Sequence, residues 1–517
     1  MLNPAQCLPE SALLPFTAYR PSAATVVWRN SEGFDWTSVD EYAFCLPLEG
    51  EPIETCTPTS KQFYAERYGG HGIGTNGGGA RCGLDGLLQI KGIGKNPVAG
   101  IGEDFFHTYG GASLNEAIVE ALWGEIFHQV LPHGSIRVRA LITTGTRVPL
   151  VLPELGKDPT TARALIIRDA ALRPAHFMRT PHFKPAPDTG PFVDDTVRTQ
   201  EAIAMLPAVM GSLYGVSDNF VHGFESLNDA LIKMATRFGE QIAAARAKRL
   251  MHGSLIASNI SLNGSWLDFG TSSAVPTWGH IVSPKGPDFL NEELMLHPAI
   301  VELSFHLKKY LRLPQCAELH DSKILWDALI KGMNDSLPHE FCKLTGVPTD
   351  EIKKISGDVL VRAYEAFKSI MKAGNDRTFY IVSDNSPESY APVTQTGAYP
   401  LIQILRVLAN AKNSQDAEIA LAGILPSERL RGRLIQTMLA VCNEFLTQYQ
   451  PNQRETAAEF CRFNALRFTA PLGNFYRPRL YRRVAETIHQ NLSVSNLLEE
   501  LRFCRDKVEM IGLVNAN

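Results

Sequence analysis

Apolar residues recur with a helical period in one segment that follows a long glycine-rich stretch. The segment runs from Ser113 to Leu131 and reads SLNEAIVEALWGEIFHQVL. Its periodic apolar positions are Ile118, Ala121, Leu122 and Ile126. Ser113 precedes Glu116 by three residues, which is the capping-box pattern that opens many helices. The spacing therefore predicts an amphipathic helix here.

Strand-like patterns occur on both sides of this predicted helix. Leu87-Leu88-Gln89-Ile90-Lys91 precedes it, and SIRVRALITTGT (135–146) follows it. The proline-rich segment 181–196 breaks regular structure. Further along, Asn263-Gly264 is a two-residue hairpin signal between short strands.

From about residue 197 the pattern becomes mostly helical, and it is helical again over the last 120 residues or so. The order of elements predicts an α+β fold with three parts. Residues 1–155 form a small β-rich part with one helix, residues 156–395 a mainly helical body, and residues 396–517 a helical extension.

The composition is ordinary for a soluble globular protein. Apolar residues make up 44% of the 517 positions and charged residues 20%. A net charge of -4 argues against a broad basic surface for nucleic acid. Nine scattered cysteines without a CxxC pair fit neither a disulfide framework nor a zinc ribbon. Without a signal-peptide pattern or an apolar run of about 18 residues, we expect a cytoplasmic chain with no membrane span.

Glycine is concentrated in one stretch, since residues 69–111 hold 15 of the 40 glycines. Such density marks tight turns or the close approach of a ligand. Gly72-x-Gly74-x-x-Gly77 matches the dinucleotide-binding motif, but no helix-forming run begins at its end. A Walker phosphate loop is also absent, because Asn96 follows Gly94-Lys95. Both of these nucleotide-binding folds are therefore excluded.

The arrangement that remains is that of protein kinases: a glycine-rich hairpin, a strand lysine and a helix glutamate. Lys91 lies on the predicted strand 14 residues after Gly77, and Glu116 begins the next helix. The lysine would contact nucleotide phosphates and the glutamate would hold its side chain. A solvated lysine and a simple capping glutamate explain these two residues equally well.

A second pattern favours the kinase interpretation. Residues 250–270 read LMHGSLIASNISLNGSWLDFG, with Asp268-Phe269-Gly270 after a strand-like segment. Kinase-type sites use an asparagine on the catalytic loop and an aspartate on the following hairpin to hold Mg²⁺. Asn259 and Asp268 have the required types and order. The sequence therefore predicts a site for ATP and Mg²⁺.

Taken together, the motifs resemble the selenoprotein-O family, kinase-fold proteins that transfer AMP from ATP to other proteins. The likeness spans about residues 60–275. The segments that carry it are Tyr68 to Gly74 (YGGHGIG), Gly77 to Arg81 (GGGAR), Leu88 to Pro97 (LQIKGIGKNP), Ser113 to Glu116 (SLNE), Arg168 to Phe177 (RDAALRPAHF) and His252 to Asp268.

The resemblance implies a two-lobed, protein-kinase-like fold and a role for each matching residue. Nucleotide contacts would come from Gly77, Gly79, Arg81, Lys91, Asp104, Arg168 and Arg173. Mg²⁺ would be held by Asn259 and Asp268, and the catalytic positions would be Lys91, Glu116 and Ser258. The family binds ATP in a flipped orientation in which the α-phosphate meets the acceptor, and the resemblance implies the same here.

Three positions depart from the family pattern. Ser258 stands where the family has its catalytic aspartate, Gly78 replaces an acidic loop residue, and Cys504 lacks the family's redox partner. These departures indicate a divergent member with a specialised acceptor, or an inactive one.

More narrowly, the chain resembles the maturation proteins encoded with siderophore-carrying microcins. Those proteins work with an acyltransferase-like partner to join a siderophore to a peptide C-terminus. The resemblance implies a protein or peptide substrate, such as a microcin C-terminus. A carboxylate acceptor is already ionised at neutral pH and needs no general base, which would explain Ser258. The alternatives are a nucleotide-binding pseudokinase scaffold, an enzyme that attaches AMP to hydroxyl side chains, and a structural subunit without nucleotide.

Two histidines and a basic cluster have simpler interpretations. His71 and His252 stand in motif positions, where a backbone-orienting or core role is favoured over ligand contact. The arginines near the end of the chain, with two tyrosines, are expected to form a solvated helix face rather than a partner site. They are Arg477, Arg479, Arg482 and Arg483.

Overall fold

The protein is described from a computed structural model. The described residues are 2–30, 41–102, 108–150, 159–187, 189, 192–215, 223–275, 281–282, 289–311, 318–374, 380–381, 404, 407–408, 410–411, 413–469, 475 and 477–500. The predicted nucleotide contact Asp104 and the cysteine Cys504 lie outside them.

One antiparallel sheet of seven strands dominates the first third of the chain. The strands are β1 (Leu13–Pro21), β2 (Thr25–Arg29), β3 (Cys56–Glu66), β4 (Cys82–Asp85), β5 (Leu88–Lys91), β6 (Val138–Pro149) and β7 (Thr160–Asp169). Their order across the sheet is β1-β3-β4-β5-β7-β6-β2. Strands β4 and β5 form a tight hairpin around Gly86, whose φ of +60° suits glycine. The strands predicted before and after the helix that begins at Ser113 are both confirmed.

The two faces of the sheet differ in chemistry because side chains alternate along each strand. Leu88 and Ile90 of β5 pack with Ile167 of β7 in a small apolar core on one face. Gln89 and Lys91 therefore point to the other face. That face is covered by a helix, and the charged residues of the candidate site lie between helix and sheet.

The covering helix is α2 (Leu114–Val130), the segment that the apolar spacing predicted. The Ser113 hydroxyl accepts a hydrogen bond from the Glu116 amide at 3.1 Å, which confirms the predicted cap. All residues from Leu114 to Phe127 are buried. A helix buried on every side lies inside the protein rather than at its surface. The predicted helix is confirmed. The predicted amphipathic character is wrong, because no face of the helix from Leu114 to Phe127 is exposed to solvent.

The rest of the chain is mainly helical. The helices are α1 (Pro4–Cys7), α3 (Asp195–Tyr214), α4 (Gly223–Ala247), α5 (His297–Tyr310), α6 (Ser322–Lys343), α7 (Thr349–Ile352), α8 (Gly357–Gly374), α9 (Ser414–Ala422), α10 (Glu428–Leu446), α11 (Arg454–Thr469), α12 (Arg477–His489) and α13 (Val494–Glu500). One large apolar core runs from α2 through α3, α4 and α6. With 51% helix and 17% strand, the α+β prediction is confirmed.

Short strand pairs complete the fold. Strands β8 (Leu250–Met251) and β9 (Ser273–Ala274) pair antiparallel and bracket the loop that contains Asn259 and Asp268. Strands β10 (Ile281–Val282) and β11 (Tyr380–Ile381) pair in parallel. The predicted hairpin at Asn263-Gly264 is present as a tight turn, closed by a bridge between Ile260 and Trp266. Within the described residues, no helix is long and apolar enough to cross a membrane.

Candidate active site

The strand lysine lies at the centre of a buried charge cluster. Lys91 ends β5, and its Nζ lies 2.5 Å from Glu120 Oε2 and 2.6 Å from Asp268 Oδ1. Burial by itself would lower the pKa of Lys91, but the Asp268 and Glu120 carboxylates outweigh it and raise that pKa above its ordinary value. Lys91 is therefore a fixed cation and not the solvated lysine of the simpler interpretation.

The sequence predicted Glu116 as the partner of Lys91, but a second glutamate, Glu120, also contacts the lysine. Glu116 Oε1 lies 3.6 Å from Lys91 Nζ, farther than Glu120. Its closer partner is Arg81, whose Nη2 is 2.7 Å from the same oxygen. Glu120 follows Glu116 by one helical turn, so the two carboxylates lie on the same side of α2. Glu116 in the first turn and Glu120, which lies closer to Lys91, are thus neighbours on one face of the helix.

The two predicted arginines both reach the aspartate of the DFG segment. Arg168 is the penultimate residue of β7, and its Nη1 lies 2.6 Å from Glu120 Oε1 and 3.0 Å from Asp268 Oδ1. Arg173 donates to the Ser258 carbonyl oxygen at 2.9 Å and lies 3.7 Å from Asp268 Oδ2. Both guanidiniums are at most 2% exposed. The fold thus brings together residues that lie far apart in the sequence.

Asp268 has an unusual backbone conformation, with φ of +65°. A left-handed conformation costs an aspartate free energy, and residues held in such conformations cluster at functional sites. Burial would raise the pKa of Asp268, but Arg168, Lys91 and Arg173 outweigh it and hold that pKa well below its usual range. The carboxylate is therefore ionised. Its side chain stays 23% exposed, so it is also partly accessible.

The loop asparagine is held beside this aspartate by the backbone. The Leu267 amide donates to the Asn259 carbonyl oxygen at 3.1 Å, which joins the two ends of the turn. The Asn259 side-chain amide donates to the Ser254 carbonyl oxygen at 2.8 Å. Its Oδ1 accepts from the Ser258 hydroxyl at 3.2 Å. Asn259 is therefore oriented with its side-chain oxygen toward Ser258.

The predicted magnesium ligands are the oxygens of Asn259 and Asp268. No group of three or more His, Cys, Asp or Glu residues suited to a metal occurs in the described part of the chain. Mg²⁺ commonly uses one or two protein oxygens, with phosphates and water supplying the rest. Asp268 Oδ1 takes the short contacts from Lys91 and Arg168, whereas the contacts of Oδ2 with Arg168 and Arg173 are 3.5 Å and 3.7 Å. Oδ2 is thus the oxygen with the longer contacts to the neighbouring cations.

The glycine loop is tied to the protein itself. The Gly77 amide donates to the Val98 carbonyl oxygen at 2.8 Å, and the Gly79 amide to the Glu66 carbonyl oxygen at 3.1 Å. A Cβ on Gly78, whose φ is +151°, would lie 2.0 Å from the Glu66 carbonyl oxygen. Glycine is therefore required here by the close approach to β3. The amides of Gly77 and Gly79 already have partners, so nucleotide contact through them stays a prediction.

Ser258 lies in the catalytic-loop position and is 8% exposed. A carboxylate from another element lies beside the same loop: Glu302 of α5. A Cβ placed on Gly70 would be 3.5 Å from both Ala257 Cβ and Glu302 Oε2. Burial raises the pKa of Glu302, and His71 opposes that rise. Glu302 thus lies near the glycine-rich turn at Gly70 and His71, and sequence reasoning did not single it out.

Other members of the site were also missed, although some left a signal. Gln89 precedes Lys91 by two residues on the same strand face, and its Oε1 accepts from Arg168 at 2.7 Å and Arg173 at 3.3 Å. Tyr68 Oη lies 3.2 Å from Arg173 Nη1. Period-two and period-four spacing from Lys91 and Glu116 would have found Gln89 and Glu120. Nothing in the local sequence points to Tyr68 as a partner of Arg173.

The basic segment near the end of the chain also reaches this site. Arg477 donates to the Gly270 carbonyl oxygen at 3.0 Å, and the Tyr481 hydroxyl donates to the same oxygen at 3.2 Å. Tyr481 is buried, whereas Arg479 and Arg482 are exposed. The expected solvated face is therefore wrong for Arg477 and Tyr481, which hold the residue that follows Asp268-Phe269.

The two histidines differ in placement. His252 is fully buried, and its Nε2 lies 2.9 Å from the Leu267 carbonyl oxygen. Burial lowers the pKa of His252 to about 4, so the ring is neutral near pH 7. This confirms the core, backbone-orienting role. His71 is exposed on the glycine-rich turn.

Comparison with known proteins adds no family. Neither a scan against protein-family models nor a search of curated proteins gave a match for this chain. The resemblance to selenoprotein O therefore stays an expectation drawn from the order of the sequence motifs.

Proposed function

We propose that this chain is a kinase-like nucleotidyltransferase that uses ATP and Mg²⁺. The observation that carries the proposal is the meeting of Lys91, Glu120 and Asp268 in one buried cluster. Lys91 Nζ contacts both carboxylates within 2.6 Å, although Asp268 lies 177 residues further along the chain. A strand lysine, a helix glutamate and a DFG aspartate are the parts that position a nucleotide in kinase-type sites.

The charge balance of the cluster supports a metal–nucleotide complex. Its cations are Lys91, Arg81, Arg168 and Arg173, and its carboxylates are Glu66, Glu116, Glu120 and Asp268. Four positive charges face four negative ones. A nucleotide triphosphate alone would add several negative charges to a neutral site, and a divalent cation offsets part of them. The Asp268 carboxylate and the Asn259 amide would hold that cation.

In the proposed kinase-like fold, the site lies between two lobes. The seven-stranded sheet with α2 would be the smaller lobe and the helical body the larger one, with boundaries near residues 155 and 395. ATP would lie between the glycine-rich turn and the Asn259–Asp268 loop. We place the activity in the cytoplasm, as expected from the sequence.

Adenylyl transfer is favoured over phosphoryl transfer by the resemblance to selenoprotein O and by the paired arginines. Arg168 and Arg173 both point at the Asp268 region, where they can exchange a carboxylate for a phosphate. Arginine suits this task because its planar fork binds phosphate oxygens in pairs. Bound Mg²⁺ would supply charge neutralisation at the phosphates.

The acceptor that fits Ser258 is a carboxylate, such as the C-terminus of a peptide. One carboxylate oxygen would form a bond to the α-phosphorus, and the bond to the β-phosphate would break to release pyrophosphate. The product is an acyl adenylate. An acyltransferase-like partner would then transfer the acyl group to a sugar hydroxyl and release AMP. No proton has to be removed in the first step, so a serine is tolerated at position 258.

A second function is favoured by one observation, the position of Glu302. Its carboxylate lies beside Ala257, one residue before Ser258, and burial raises its pKa. Such a group could act as the general base that a hydroxyl acceptor requires. In that case the protein would attach AMP to serine, threonine or tyrosine side chains.

The test is to incubate the chain with α- and γ-labelled ATP and a candidate peptide, with and without the acyltransferase-like partner. Transfer or release of α-labelled AMP supports adenylyl chemistry, whereas an acceptor labelled only from γ-ATP overturns it. Hydroxylamine separates the acceptors, because it traps an acyl adenylate as a hydroxamate and leaves AMP on a hydroxyl intact. ATP binding without turnover would identify a pseudokinase scaffold. A chain that does not bind ATP would support the remaining alternative, a structural subunit without nucleotide.

A further inference from the structure

A cavity of about 530 Å³ lies beside the nucleotide site but is separate from it. Its walls come from the start of β6, the residues just after β7, the end of α3, one arginine of α4, and the turn 261–265. Asp169 lines the cavity, whereas its neighbour Arg168 belongs to the nucleotide site. Consecutive strand residues face opposite sides of a sheet, so Asp169 and Arg168 point away from each other.

Two of the three arginines that line the cavity are neutralised by carboxylates. Arg137 contacts Glu125 through Nε at 2.9 Å and through Nη2 at 2.7 Å. Arg139 contacts Asp169 through two bonds of 2.7 Å each. These paired contacts join β6 to α2 and to β7, and they add no net charge to the cavity.

The third arginine, Arg237 of α4, is different. Its guanidinium lies 4.7 Å from the centre of the Tyr214 ring and is hydrogen-bonded to that side chain. Within the described part of the chain it forms no ion pair with a carboxylate. The nearby carboxylate on the same helix, Glu240, pairs with His133 at 2.6 Å. Arg237 is therefore the lining arginine without an ion-pair carboxylate of its own among the described residues.

The remaining walls are partly apolar, through Ile136, Leu172 and Leu213. A cavity of this size is in the range that accommodates small organic ligands. A single cation beside apolar walls suits a ligand with one negative charge and an apolar body. A carboxylate matches the planar fork of arginine and carries that one charge.

We propose that this cavity binds an organic carboxylate, with the carboxylate at Arg237 and the apolar body against Ile136, Leu172 and Leu213. The site is independent of the nucleotide chemistry proposed above, because it shares no side chain with the Lys91 cluster. It would be the second small-molecule site of the chain.

The test measures binding of 4-phenylbutyrate to the full chain by calorimetry, with its neutral amide as the matched ligand. We expect the carboxylate to bind and the amide to bind about tenfold more weakly, since one charge-assisted pair is lost. Arg237→Gln should weaken the carboxylate by a similar factor. Lys233→Gln, an exposed position on the same helix, should leave binding unchanged.

A second variant tests the cavity without touching its charge. Ser212 is exposed at the wall, so Ser212→Trp should obstruct the space and abolish binding, whereas Ala204→Trp at an exposed position of the same helix should not. Lys91→Met should bind the probe normally. No binding to the native chain, unchanged binding in both Arg237→Gln and Ser212→Trp, or loss in Lys91→Met would overturn the proposal.

Discussion

Two buried charge clusters meet at strand β7, and they are built differently. On the cavity side each carboxylate serves one arginine: Glu125 pairs with Arg137, and Asp169 with Arg139. On the nucleotide side the carboxylates are shared. Glu120 lies between Lys91 and Arg168, and Asp268 contacts both of these cations.

The difference teaches how to distinguish a structural ion pair from a site that is ready for a ligand. A bidentate pair with both partners buried has its charge fully compensated, and breaking it leaves an isolated charge. A shared carboxylate that is partly exposed can give up one contact while its neighbours keep others. Asp268 is 23% exposed and has a left-handed backbone, whereas the Asp169 side chain is 6% exposed.

The largest expected effect concerns the paired cluster. Asp169→Ala leaves the buried Arg139 guanidinium without its anion, so the free energy of unfolding should fall by about 3–5 kcal/mol in urea titrations. Asp85→Ala is the control, because its pair with Lys61 is about a third exposed and should contribute less than about 1 kcal/mol. Equal losses in the two variants would remove the distinction between paired and surface charges.

The next effect concerns the shared cluster. Asp268→Ala should keep the fold, because Glu116 and Glu120 still face the cations, but it should lose stabilisation by Mg·ATP. With ligand at about 100 times its Kd, the native chain gains about 2.7 kcal/mol, and the variant should gain none. Thermal unfolding with and without Mg·ATP measures this. An unchanged ATP response in the variant would refute the metal assignment.

A third kind of buried carboxylate sharpens the comparison, since Glu292 is held by a backbone amide. Its Oε1 accepts from the Gly253 amide at 2.6 Å, and burial raises its pKa to about 7. A carboxyl whose folded pKa lies above its unfolded value contributes fully below about pH 4.3 and loses that contribution as pH rises through about 7. Near pH 8, Glu292→Gln should therefore be more stable than the native chain by about 1–3 kcal/mol.

The measurement is the free energy of unfolding across this pH range. Near pH 4 the two chains should be equally stable, because both then carry a neutral side chain at position 292. Glu365→Gln, on the surface of α8, should not alter the pH slope. A Glu292→Gln chain that loses stability at every pH would show that the carboxylate is needed in its charged form.

The smallest expected effect separates the two glutamates of α2. Glu120 bridges Lys91 and Arg168, whereas Glu116 mainly pairs with Arg81. Under the proposed function, Glu120→Gln should therefore reduce kcat/KM for AMP formation by about tenfold, because it loosens the two cations that we propose bind phosphate. Glu116→Gln should have a smaller effect. The reverse order would restore Glu116 as the partner of the lysine.

Much of the site was readable from residue types and spacing. Lys91 on a strand, Glu116 at a helix start and Asp268 in a DFG segment were predicted, and the fold brings all three together. These predictions succeed because strand and helix periods are local properties of the chain. Period-four spacing would have added Glu120 as a candidate, but only the packing of the helix on the sheet decides that Glu120 lies closer to Lys91 than Glu116 does.

What the sequence determined by itself is the α+β order of elements, the cap of α2 and the chemical types available to the site. Only the tertiary structure decided which charges meet. The partnership of Arg168 with Asp268, the approach of Glu302 to the Ser258 loop and the contact of Tyr481 with Gly270 join residues at least 44 positions apart. Such contacts depend on how sheet and helices pack around a common core, and no local pattern encodes that packing.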